Sequence, residues 1–147
     1  MDYKSVSVYV TLKNDLFILS NGISSKWGGA TIELEVYHFL ASGFTDEMLE
    51  SNVFQAFERW NAVEPSEELK PTAIEKILKV KGYQKAVKQM RFVSVQWDSD
   101  DGYSVIPTEN RGKNGFVYLE AEAINLGHNI KSGDLALALR SAISLSK

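Results

Sequence analysis

"KSVSVYVTL", residues 4–12, places Val6, Val8 and Val10 on one side of an extended chain and Ser5, Ser7 and Tyr9 on the other. That period of two belongs to a β-strand with one buried face, because successive side chains of a strand point to opposite sides of the sheet. The stretch therefore commits the start of the chain to a sheet, and its neighbours must supply the partners. Asn14-Asp15 breaks the alternation, "LFILS" (16–20) follows as a short apolar strand closed by Asn21-Gly22, and "ATIELEVYHFL" (30–40) sets Ile32, Leu34 and Val36 against Glu33, Glu35 and Tyr37. A three-strand meander is the simplest arrangement.

Beyond the meander the period changes. Thr45 is suited to cap a helix, Asp46 and Glu47 lie where the helix dipole favours acids, and Leu49, Val53, Phe57 and Trp60 recur at helical spacing. Residues 45–60 are thus predicted as an amphipathic helix docked on the sheet. "NAVEPSEELKP" is a polar connection, Pro71 suits a first helical position, and Ile74, Ile77 and Leu78 form a short stripe that Gly82 interrupts. A second strand group follows in "RFVSVQW", "YSVIPT" and "GFVYLE". Ser132 and Asp134 then open a last helix with Leu135, Ala138, Leu139, Ala142 and Ile143 on one side.

The two halves echo each other as strands followed by a helix. A shift of 86 residues brings Leu49, Val53, Ala56 and Phe57 over Leu135, Leu139, Ala142 and Ile143. The expected fold class is α+β, an antiparallel sheet covered by amphipathic helices, with pseudo-duplicated halves as one possible form. With 147 residues, 44% of them hydrophobic, the chain can bury one ordinary core, so a single domain over 1–147 is expected. It holds no run of about 18 apolar residues for a membrane span, no basic-then-apolar secretory leader, and no cysteine, which makes a soluble cytoplasmic protein the default.

The formal charge of −3 hides an asymmetry. Seven of the sixteen basic residues (Lys70, Lys76, Lys79, Lys81, Lys85, Lys88, Arg91) fall within 70–91 beside a single acid, Glu75, leaving nine basic and eighteen acidic groups elsewhere. Such a run could serve an adaptor that tracks nucleic-acid phosphates or binds a protein. One arginine, no aromatic platform beyond Tyr83 and a strongly acidic remainder argue instead for a solvated helix face.

"WDSDDGYS" (97–104) poses the sharpest chemical question. An EF-hand loop starting at Asp98 would find its glutamate at Glu109, but Asp101, Gly102 and Tyr103 stand at the wrong positions, and the flanks are strands. A hairpin closed by Asp-Gly accounts for the same residues without a metal. His38 and His128 are the only imidazoles, and neither has ligand or triad spacing around it; nucleophile and phosphate-loop motifs are absent. Neither catalysis nor a cofactor is expected, and a small enzyme using His38 or His128 is the remaining third class.

"SGDLALALRSAISLSK" at the C-terminus resembles the ending of the CdiI-type immunity proteins of bacterial contact-dependent growth inhibition, at Asp134, Leu135, Ala136, Ala138, Leu139, Arg140, Ala142, Ile143 and Ser144. The helix "TDEMLESNVFQAFERW" is similar to the family's earlier acidic helix at Asp46, Glu47, Leu49, Ala56 and Phe57, and "YSVIPT" to its segment with proline and threonine before a glycine-containing turn. Glu50 and Ala136 stand where the family pattern has a glycine after the helix leucine. The resemblance implies a stoichiometric inhibitor of a cognate toxin domain, a nuclease by expectation, with no catalytic residues. Acidic groups would then occupy the place of nucleic-acid phosphates and steer association. Asp98, Asp100 and Asp101, with Tyr103 beside them, are the candidate partner-binding residues on a hairpin tip. Glu67 and Glu68 in the connection and Trp27 beside Gly28-Gly29 complete the set.

Overall fold

The computed structural model describes residues 2–26, 28–65 and 71–147. Seven strands form one antiparallel sheet: β1 (Tyr3–Val10), β2 (Leu16–Ser24), β3 (Ala30–Leu40), β4 (Arg91–Asp98), β5 (Gly102–Asn110), β6 (Phe116–Tyr118) and β7 (Ile124–Gly127). Their order is β3-β2-β1-β4-β5-β6, and β7 pairs with the other end of β5. The helices are α1 (Asp46–Glu58), α2 (Ala73–Leu78), α3 (Tyr83–Ala86) and α4 (Asp134–Leu145), which makes the fold α+β.

The valine alternation places the core. Val6, Val8 and Val10 of β1 sit opposite Val95, Val93 and Arg91 of β4, and the valines are almost wholly buried under α1 and α4. Leu49, Val53 and Ala56 of α1 and Leu135, Leu139 and Ala142 of α4 complete this layer. Each buried valine or leucine here contributes about 1.5–3 kcal/mol, and truncating one leaves a hole that the surrounding side chains close only in part. The other face carries a smaller cluster of Tyr9, Leu19, Ala73, Ile74, Ala86, Val87 and Phe92, closed by α2 and α3. The meander is as expected, and the two strand groups join through the central β1–β4 pair, each followed by a helix on the same face.

Local expectations needed four corrections. Asn21-Gly22 is no turn: β2 continues to Ser24 through a bulge between Leu19 and Asn21. Asn61 crosses the strand there, its side-chain oxygen 2.8 Å from where a Cβ on Gly22 would lie, so close backbone approach explains the glycine. Pro71 precedes α2 rather than opening it, because Thr72 caps this helix in a reciprocal box with Glu75. Ser132 does not cap α4; Gly133 occupies the cap position in a left-handed conformation, and a carboxylate from another helix does the capping. "GFVYLE" gives only a three-residue strand followed by a turn over Glu120–Glu122, and β7 was not foreseen because four residues carry too little pattern. Thr45, by contrast, caps α1 as its chemistry predicts, accepting from the Met48 N–H at 3.1 Å. Among the described residues no helix is long and apolar enough to cross a membrane.

Candidate interaction site at the β4–β5 hairpin

Asp98 ends β4 and Gly102 begins β5, so Ser99, Asp100 and Asp101 form the tip between them. The Asp98 carboxylate accepts from the backbone N–H of Asp100 at 2.9 Å and of Asp101 at 2.7 Å, using its charge to satisfy amides that no strand partner reaches. One end of the chain is sewn to the same tip: Ser99 N–H donates to the Asp2 carbonyl at 3.0 Å, and Asp2 N–H donates to Ser99 Oγ at 3.1 Å. Asp100 and Asp101 are exposed. A calcium loop is ruled out by distance along the strand. Glu109 lies near the far end of β5 from Asp98, engaged by Arg111 at 2.6 Å, and this ion pair holds its carboxyl below the usual range.

Behind the tip lies a cavity of about 390 Å³ lined by Lys4, Phe54, Phe57, Glu58, Trp97 and Tyr103. Tyr103 meets Phe54 and Phe57 edge-on at centroid distances of 5.9 and 5.6 Å, and Lys4 Nζ lies 5.9 Å from the Trp97 ring centre. Trp97 and Tyr103 are paired across the hairpin, while Lys4 is paired with Trp97 across β1–β4. Register thus puts a cation, an indole and a phenol side by side. The Tyr103 hydroxyl is pushed up in pKa by burial, so it stays a neutral donor at physiological pH.

His128 closes the side of the tip: its Nε2 lies 3.1 Å from the Asp100 carbonyl and its ring stands edge-on to Trp97 at 6.5 Å. Gly102 makes that approach possible. Its φ is +78°, and a Cβ added there would overlap the Gly127 carbonyl and lie 2.6 Å from His128 N, which leaves room only for glycine. The structure places Asp98, Asp100 and Asp101 at the hairpin tip and Tyr103 in the adjoining cavity wall. Trp27, Glu67 and Glu68 lie outside the described residues. The partners that sequence missed here, Lys4, Trp97, Phe54 and His128, come from four separate segments. Only the cross-hairpin pairing of Trp97 with Tyr103 was open to counting back from the turn.

The remaining buried polar groups lie away from the hairpin. His38, on β3, is at the opposite edge of the sheet from His128; its Nε2 is buried without a partner, and burial followed by the Arg59 charge lowers its pKa. The two imidazoles therefore cannot act together. On the far face, Tyr9 Oη donates to the Glu33 carboxylate, 2.7 Å to Oε2 and 2.9 Å to Oε1, and lies 3.0 Å from Tyr83 Oη of α3. Burial lifts the Glu33 carboxyl above its ordinary value, against the hydrogen bonds of Tyr9 and Ser7, and burial together with the Glu33 charge pushes Tyr83 up to about 12. This cluster ties α3 to the sheet. No group of three or more His, Asp or Glu among the described residues is placed to hold a metal ion.

The chain is thus a sheet-and-helix protein whose acidic hairpin tip is backed by aromatic side chains. No family model and no curated protein matches the chain. In structure it is similar to a chain of the CdiA-CT/CdiI toxin and immunity complex from Yersinia pseudotuberculosis, with a TM-score of 0.75 and 15% identity, covering 100% of this chain and 99% of that one. It is also similar to a protein of unknown function from Neisseria meningitidis, with a TM-score of 0.74 and 13% identity over 99% of this chain and 96% of the other. The fold is thus one found in a toxin and immunity complex.

Proposed function

We propose that the chain is an immunity protein that binds a cognate toxin domain, a nuclease by the chemistry of the surface, and neutralises it by stoichiometric occlusion in the cytoplasm without catalysing a reaction. The observation that carries this reading is the full-length likeness to a chain of a toxin and immunity complex. The hairpin supports it: exposed Asp100 and Asp101 offer negative charge to a basic protein surface, and the Trp97–Tyr103–Lys4 wall supplies the aromatic area on which binding energy concentrates.

The test is co-expression of the tagged protein with the polypeptide encoded immediately upstream. A one-to-one, salt-sensitive complex that restores growth to cells making that polypeptide is expected. Failure to bind or protect would overturn the reading.

A further inference from the structure

We infer that the groove at the other end of the strands is a docking site for an acidic protein segment carrying an apolar anchor. β1 runs from Tyr3, paired with Asp98, to Val10, paired with Arg91, so this end lies roughly 23 Å from the acidic hairpin at about 3.3 Å per residue. A cavity of about 530 Å³ opens there between the β1–β2 turn, the end of β3, and α3 with the segment that follows it. Its apolar lining includes Phe17, Phe39, Met90 and Leu12. Phe17 packs on Phe39 with ring centres 5.0 Å apart and on Tyr37 at 6.2 Å, yet Leu12 is 70% and Phe39 50% exposed. Exposed apolar side chains gathered in one groove offer area that a partner segment would cover.

Charge selects the occupant. Lys13, Lys85 and Lys88 rim the groove, all exposed, and among the described residues none has a carboxylate partner. The one acid in the lining, Asp15, is already engaged by the Ser42 N–H at 2.8 Å. Three ammonium groups around an apolar floor fit a short segment that places an aromatic or aliphatic side chain on Phe17 and Phe39 and carboxylates beside the lysines. The basic run does continue past the groove through Lys76, Lys79 and Lys81, but the chain outside 70–91 carries eighteen acids against nine bases, a field that opposes a long polyanion more than a short acidic segment. The assignment does not rest on the immunity reading, because it concerns the opposite pole and the opposite charge.

The experiment is fluorescence anisotropy on the intact protein with the labelled peptide EDFELED, the basic control KKFKLKK and an oligodeoxythymidylate. Binding of the acidic peptide alone is expected, weakened by added salt, at least tenfold weaker in the double variant Lys85→Glu, Lys88→Glu and in Phe39→Ser, and unchanged when Asp98, Asp100 and Asp101 become asparagine. These are surface positions, and circular dichroism checks each variant's fold. No binding of EDFELED at roughly millimolar peptide in low salt, or affinity indifferent to both groove variants, would overturn the proposal. Lysine-dependent binding of the oligodeoxythymidylate in place of the peptide would overturn it in favour of nucleic acid.

Discussion

Glu50 on α1 accepts a hydrogen bond from the backbone N–H of Ala136 on α4 at 2.9 Å, and the two residues are separated by the same 86 positions that relate the two helices in sequence. The same carboxylate accepts from Gly133 N–H at 3.0 Å. A helix start has amides without intrahelical partners, and α4 has no capping side chain of its own, so the other half of the molecule supplies the anion.

Removing this cap is expected to be felt in stability. Glu50→Ala should cost about 1–2 kcal/mol in urea unfolding, the scale of a lost N-cap, while Glu50→Gln keeps an acceptor and should cost less. Equal losses for both variants would mean that packing, not the hydrogen bonds, dominates at this position.

The Glu33 cluster predicts a dependence on pH with a defined sign. Because burial raises the folded carboxyl above its unfolded value, its contribution is fully present below the unfolded pKa and lost as pH rises through the folded one. Comparing wild type with Glu33→Gln by chemical denaturation, the difference should move in favour of glutamine from the acid side towards neutrality. A difference that stays level across that range removes Glu33 as its source.

At the hairpin, Asp98 has a structural role that Asp100 and Asp101 lack. Asp98→Ala should destabilise by about 1 kcal/mol through two lost acceptor contacts, and Asp98→Asn by less. Asparagine at all three positions should slow association with the proposed toxin partner severalfold and flatten its salt dependence in stopped-flow measurements. Unchanged association rates would take the hairpin out of the interface.

Gly102→Ala is expected to be the most damaging single-methyl change, several kcal/mol, since the new Cβ would overlap the Gly127 carbonyl at a positive φ. Hydrogen exchange should report it first as loss of protection over Ile124–Gly127, the strand held against this part of β5. Retained protection there would show that β7 shifts to accommodate the methyl group.

Much of the fold was legible because strong periods are local. Alternating valines in 4–12, the capped acidic start at Thr45 and the apolar face of 134–145 each specify an element with few competing solutions. The short strand 124–127 was illegible for the converse reason, "GFVYLE" was read as a strand but yields only 116–118, and Asn21-Gly22 imitated a turn because sequence cannot show Asn61 crossing above it. At the candidate site, a charged hairpin could be read from Asp98 to Gly102, because turn chemistry acts over a few residues.

The sequence by itself determined the sheet's buried face, the two long helices and the polarity of the chain's charge, since these depend on side-chain spacing within one segment. Only the tertiary structure decided that Lys4, Trp97, Tyr103 and His128 gather behind the acidic tip, that Glu50 caps a distant helix, and that lysines of 85–88 meet Leu12 and Phe39. Those contacts follow from strand order and register, which are set by how whole faces pack and leave no mark in any one stretch of residues.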